Sequence, residues 1–160
     1  MLAPGIYESP LGRIFLTGDA EELTGLHFAA EGEKIPLCGK DCLAWTFEWL
    51  NIYFSGREPG PVPPLRMNGS AFRRRVWEIL REIPYGHTIT YGQIAARIAE
   101  ERGLERMSAQ AVGGAVGSNP VAILVPCHRV IGADGRLTGY AGGLPRKKAL
   151  LELENAAFRE

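Results

Sequence analysis

Four prolines in six residues, Pro59-Gly60-Pro61-Val62-Pro63-Pro64, interrupt this chain near its first third. Such a run cannot continue a helix or a central strand, and it favours a stiff, extended connection. The chain of 160 residues is therefore read as two small domains, 1–65 and 66–160, with the linker at 59–64. The two sides differ in charge. Residues 1–65 carry four basic and nine acidic side chains, and residues 66–160 carry fourteen basic and nine acidic. The formal net charge of zero thus hides a C-terminal half that suits a polyanionic partner.

A composition of 46% hydrophobic and 22% charged residues excludes a disordered, collagen-like or coiled-coil chain. No run approaches the ~20 apolar residues of a membrane span, and the first residues lack a secretory pattern. A cytoplasmic location without a membrane partner is expected. Three cysteines do not make a disulfide framework, so each is judged alone.

Before the linker, residues 5–9, 13–17 and 23–28 read as short strands separated by turns, a meander. Residues 42–54 read as a helix with Leu43, Phe47, Leu50 and Phe54 on one stripe and Asp41 as its cap. After the linker, Ser70 caps a helix bearing Phe72, Val76, Ile79, Leu80 and Ile83 on one face. Thr90 caps a second helix that ends near Gly103, and Ser108 caps a third over residues 109–116. Two short helices after a longer one outline a helix-turn-helix. Residues 121–125 read as a buried strand, 132–143 as a Gly-rich loop, and 144–155 as a closing helix. The fold class is α/β in the broad, α+β sense: a small α/β unit, then a winged helix-turn-helix-like unit.

The chemistry concentrates in the run from Asn119 to Ile131. Cys127 follows an apolar segment and Pro126, where the backbone turns sharply and can present a reactive side chain. The thiolate is the reactive form, and a neighbouring imidazole favours it. His128 is adjacent, and Glu154 in the last helix could orient it. A Cys–His–Glu relay, through water where Cys127 and His128 do not touch, would activate a nucleophile. Two readings compete with this. A cysteine after an apolar strand also fits an inert core position, and adjacent residues in an extended chain point to opposite sides.

The run Pro126-Cys127-His128-Arg129-Val130, with Asn119-Pro120 ahead and Thr138-Gly139-Tyr140-Ala141-Gly142-Gly143 behind, resembles the active-site signature of the O6-alkylguanine-DNA alkyltransferases. Further matches follow that family's order: Ile83-Pro84-Tyr85-Gly86, Thr90-Tyr91-Gly92, Ala111-Val112-Gly113-Gly114-Ala115 and Leu150-Leu151-Glu152-Leu153-Glu154. The resemblance covers residues 69–154. It implies a ribonuclease H-like N-terminal domain and a protein that repairs double-stranded DNA through the minor groove, acting as a monomer and once per molecule. A damaged guanine would leave the stack, because its edge cannot be reached within a duplex. Cys127 would take the alkyl group, with His128 and Glu154 relaying its proton and Asn119 holding the loop. Tyr91 would crowd the phosphate and hydrogen-bond guanine N3, which helps the base to leave. The Val130 and Cys127 carbonyls would read the amino group, and the Tyr140–Ala141 backbone would contact O6. Gln110, Ala111, Gly113, Gly114 and Arg129 are expected at the DNA. No cofactor is expected, since the substrate brings the transferred group.

One departure stands out. The family's usual arginine in the recognition helix is replaced here by Gln110, which brings no charge and no guanidinium plane. Less efficient extrusion from duplex DNA is the expectation. The small residues of residues 111–115 fit either a close approach to the minor groove or tight internal packing. The Arg73-Arg74-Arg75 run is read as a solvated helix face. Cys38, Cys42 and His27 offer three loosely spaced metal ligands without a fourth, so no metal is expected. Two other functions stay open at this point: a non-reacting module that recognises alkylated bases, and a cysteine hydrolase. Thiol alkylation separates the first, and turnover of an ester or amide the second.

Overall fold

A computed structural model of the chain describes residues 1–159. They form two compact units: residues 1–68 with 120–124, and residues 69–119 with 125–159. The return of residues 120–124 to the first unit has no counterpart in the linear pattern. Among the described residues, no helix is long and apolar enough to cross a membrane.

The first unit is a sheet with one helix. β2 (Ile6–Ser9), β3 (Gly12–Gly18) and β4 (Leu23–Phe28) form the expected antiparallel meander. Two short strands went unforeseen: β1 (Leu2–Pro4) pairs antiparallel with β5 (Leu37–Gly39). Three-residue strands carry too little alternation to register as a period. Gly5, between β1 and β2, allows a close crossing, for a Cβ there would lie 1.8 Å from the Leu16 carbonyl oxygen.

α1 (Lys40–Phe54) starts two residues earlier than expected, and Gly39 rather than Asp41 stands at its cap, without a side-chain bond. Its buried residues are Cys42, Thr46, Trp49, Leu50 and Tyr53. The anticipated stripe through Phe47 and Phe54 lies at the edge of that face, where both rings meet Tyr7 at 5.1 and 6.2 Å.

The second unit begins with α2 (Ala71–Arg81), α3 (Tyr91–Glu101) and α4 (Ala109–Gly117). Their N-terminal amides are held by Ser70, Thr90 and Ser108, as expected, and Thr90 forms a full capping box with Gln93. Each cap contributes about 1 kcal/mol. Val76, Ile79, Leu80, Ile94, Ile98 and Val112 are buried to within 1% exposure, each contributing roughly 1.5–3 kcal/mol. The buried indole of Trp77 donates to the Ala115 carbonyl at 2.8 Å, which ties α2 to α4. Outside, Arg75 pairs with Glu101 and Arg97 with Glu82, so this arginine of the triplet braces helices.

Beyond α4 the expected strand over residues 121–125 does not form. Val121 makes a single bridge to Leu26, and the chain then turns. β6 (Ile89–Thr90) and β7 (Val130–Ile131) make a short parallel pair, and α5 (Leu144–Leu153) closes the unit.

Candidate active site

Two consecutive tight turns present Cys127. The Leu124 amide donates to the Ala122 carbonyl at 2.8 Å around Ile123, whose φ is +69°. This is a γ-turn of the rarer, strained hand. A β-branched residue avoids that region, yet Ile123 is 1% exposed, so burial of its side chain opposes the strain. Three residues on, the Cys127 amide donates to the Val125 carbonyl at 2.8 Å around Pro126 (φ −80°, ψ 66°), an inverse γ-turn. Cys127–Arg129 then form one turn of 3-10 helix. Cys127 and His128 are therefore not alternating residues of an extended strand, and the objection drawn from strand geometry lapses.

The Cys127 side chain is buried. Burial pushes its thiol up, while the Asn119 side chain, Lys147 and the local backbone amides favour the thiolate. Asn119 also donates to the Val125 carbonyl at 2.8 Å, fixing the turn just before the sulfur.

Behind Cys127 lies a sealed charge network. His128 Nε2 is 2.6 Å from Glu154 Oε2, and both side chains are 0% exposed. Burial alone would raise the Glu154 carboxyl, but its bonds to His128 and Arg129 hold it down to about 2. An ionised carboxylate only accepts, so Nε2 carries the hydrogen and Nδ1 the lone pair. Burial likewise keeps the His128 imidazole below its ordinary value, against the opposing pull of Glu154. The result is a neutral histidine with a fixed tautomer, able to take a proton at Nδ1.

Arg129 does not reach outward. Its Nε donates to Glu154 Oε1 at 2.8 Å and its Nη1 to the Ile83 carbonyl at 2.7 Å, with 9% of the side chain exposed. The expected DNA contact is thereby corrected: Arg129 is an internal strut, since Glu154 needs a second cation and the Ile83 carbonyl a donor. The Gly86 amide completes the Glu154 shell at 3.1 Å, and its φ of +79° suits glycine. Glu154 itself sits at the C-cap of α5, one residue past the helix.

The opposite wall comes from residues 138–141 and from Tyr91, the first residue of α3. The Tyr91 hydroxyl donates to the Thr138 carbonyl at 3.3 Å. The Tyr140 hydroxyl is buried and has no hydrogen-bond partner among the described residues. Ala141 is exposed beside it, and Val130 is buried in β7. One residue was missed altogether. Lys147 is fully buried, and its Nζ donates to the Thr138 and Gly139 carbonyls at 2.8 and 3.2 Å. A Lys-Lys pair in a helix gives no hint that one member points inward.

α4 presents Gln110, Ala111 and Gly114 to solvent, with Gly113 half-buried. A Cβ at Gly114 would meet nothing within 4 Å, and one at Gly113 only the Tyr91 ring at 3.9 Å, an ordinary contact. Internal packing does not require these glycines. In the other unit, Cys38 and Cys42 are buried thiols pushed up by burial, Cys38 to about 11. His27 pairs instead with Glu33 at 2.6 Å. Among the described residues, no three His, Cys, Asp or Glu side chains gather as a metal site.

Comparison with known proteins covers nearly the whole chain. Residues 71–156 match the DNA binding domain of 6-O-methylguanine DNA methyltransferase, and residues 3–60 match its ribonuclease-like domain. The methylated-DNA–protein-cysteine methyltransferase of Haemophilus influenzae is 39% identical, over 95% of this chain and 86% of that protein. That of Methanosarcina acetivorans is 42% identical, over 94% and 97%. The crystal structure of Mycobacterium tuberculosis OGT in complex with DNA superposes with a TM-score of 0.79 at 43% identity, covering 94% of this chain and 91% of that one.

Proposed function

This chain belongs to the 6-O-methylguanine DNA methyltransferase family, and from that premise we propose that it reverses O6-alkylation of guanine in double-stranded DNA by moving the alkyl group irreversibly to its own Cys127. The observation that carries the assignment is the buried Cys127 turn backed by the His128–Glu154 bond of 2.6 Å. It gives a thiol, a neutral base of fixed tautomer and a carboxylate to steady the base, which is the minimum a thiol nucleophile needs.

The duplex lies against α4, and Gln110, Ala111, Gly113 and Gly114 face its minor groove. The damaged guanine rotates out of the stack toward Cys127. His128 Nδ1 takes the thiol proton through a water. The sulfur attacks the alkyl carbon in line, so that the S–C bond forms as the C–O6 bond breaks. The electron pair of that bond passes to the guanine, and the Tyr91 hydroxyl turns from the Thr138 carbonyl to donate at N3 as the base's charge develops. The Val130 carbonyl reads the amino group, and the Tyr140–Ala141 backbone contacts O6. The thioether is not turned over, so each molecule acts once, as a monomer in the cytoplasm and without a cofactor.

Replacing Cys127 by Ala tests the scheme. The variant should bind a duplex bearing O6-methylguanine while leaving the lesion intact, and the natural protein should restore guanine one for one. Repair by the alanine variant, or repeated turnover by the natural protein, would contradict it.

A further inference from the structure

Lys147 is the buried cation that this chemistry leaves without a task. It is 0% exposed, a state that lysine almost never adopts unless paired. Among the described residues no carboxylate pairs with it. Its Nζ bonds the Thr138 and Gly139 carbonyls, and it lies 5.8 Å from the centre of the Tyr91 ring. Two carbonyl dipoles and a ring face are weak compensation for a desolvated ammonium. α5, which carries Lys147, packs on the Cys127–Arg129 turn. Tyr91 and Lys147 also converge on one oxygen, since both donate to the Thr138 carbonyl.

We propose that Lys147 is a positioning residue for the alkyl-transfer step, its ammonium pinning residues 138–141 against Tyr91 and serving as the counter-charge of the Cys127 thiolate.

The groups that face it fit this role. Cys127 favours the charged form of Lys147, and Lys147 favours the thiolate form of Cys127. Burial lowers Lys147 to about 8, so it is mostly cationic at neutral pH. Lys147 opposes a proton on His128, but Glu154 stands 2.6 Å from that ring and offsets the effect. The carboxylate is itself engaged by Arg129. At the sulfur, the Asn119 side chain and the Cys127 and His128 amides also favour the thiolate, and Lys147 is the cation that acts on it. Tyr140 and Arg146 flank the site, and burial keeps the Tyr140 phenol un-ionised.

The inference rests on Cys127 being the alkyl acceptor, and the experiment separates the two. Single-turnover methyl transfer from a duplex bearing O6-methylguanine is measured from about pH 6 to pH 10 for the natural protein, Lys147→Met and Lys147→Arg. Iodoacetamide labelling of Cys127 over the same range reads thiolate formation without DNA. Removing the charge should push the thiol further up and slow the reaction roughly tenfold near neutral pH. The gap should close as pH rises past about 8, where Lys147 loses its own proton. Lys147→Arg should match the natural rate near neutral pH and keep its advantage past about pH 8, since a guanidinium holds its proton there, even if it melts earlier. Lys147→Gln keeps a hydrogen-bond donor without the charge, and carries the test if the methionine variant does not fold. A loss equal at every pH, or no loss, would overturn the proposal. A natural protein that transfers no methyl yet shows the labelling shift would sink the repair reading and with it the role in alkyl transfer, leaving Lys147 only as the counter-charge of the Cys127 thiolate.

Discussion

His128 Nε2 and Glu154 Oε2 lie 2.6 Å apart with neither side chain exposed to solvent. Because Arg129 and Gly86 occupy the other carboxylate oxygen, Glu154 has no rotational freedom to present a different atom to the imidazole. The ring is held with Nδ1 as its basic nitrogen. Glu154→Gln should slow methyl transfer by about 10²-fold or more, the usual contribution of an oriented base. It should also cost about 3–5 kcal/mol of stability by leaving Arg129 buried without its anion. Single-turnover kinetics and a thermal melt check both effects.

The pH dependence follows from the same pair. His128 acts as a base only when neutral, and burial holds it below 6.5. The acid limb of the transfer rate should therefore fall below pH 6.5. Stability responds in two stages. The unfolded chain binds a proton at His128 before the native chain does, so stability begins to drop as pH falls below 6.5. Glu154 titrates at about 2 in the fold against 4.5 ordinarily. Its contribution is complete above pH 4.5 and is lost as pH falls through about 2. An acid limb at or above 6.5 would count against a buried neutral histidine.

Arg129 supports the site from inside. Arg129→Gln should lower stability by about 3–5 kcal/mol while leaving the salt dependence of DNA binding unchanged. A phosphate contact would instead reduce the slope of log K against log salt by about 0.9. A binding titration at several salt concentrations, on folded protein, distinguishes the two.

The α4 glycines separate stability from binding. Nothing lies within 4 Å of a Cβ at Gly114, so Gly114→Ala should gain up to about 1 kcal/mol from helix propensity. The same methyl would hold the duplex away, weakening binding by about tenfold, or 1.4 kcal/mol. A melt and a binding isotherm on one variant suffice. Unchanged affinity would show that no partner approaches this face closely.

Gln110 lies exposed at the start of α4. Gln110→Arg should speed repair of duplex DNA, by roughly fivefold for about 1 kcal/mol of added stacking. Reaction with the free alkylated base should not change, because no nucleotide has to be extruded. Equal rates on duplex DNA would remove the functional weight given to this position.

What could be read in the sequence was what local chemistry decides. Ser70, Thr90 and Ser108 cap their helices because a hydroxyl before an apolar run satisfies amides of its own first turn. The β2–β4 meander follows from short runs rich in Ile, Leu and Phe and the turns between them. The strand expected over residues 121–125 failed because a continuous apolar run reports burial, not direction. That segment is buried, but two γ-turns shape it, and only tertiary packing holds Ile123 at a positive φ. Cys127, His128 and Glu154 were picked out by residue type and by resemblance, and the structure adds the His128–Glu154 pair that fixes the imidazole tautomer. Arg129 and Lys147 were not legible as inward residues, since a cation in sequence looks the same whether it meets solvent, a carboxylate or a thiolate.

The central claim is that Cys127 itself becomes the alkyl carrier. Its most direct measurement is intact-protein and peptide mass spectrometry after incubation with a duplex containing a single O6-methylguanine. One methyl per molecule is expected, on the peptide bearing Cys127 and nowhere else, with none in Cys127→Ala. A protein that binds the lesion yet remains unmodified, or one methylated at Cys38 or Cys42, would contradict it.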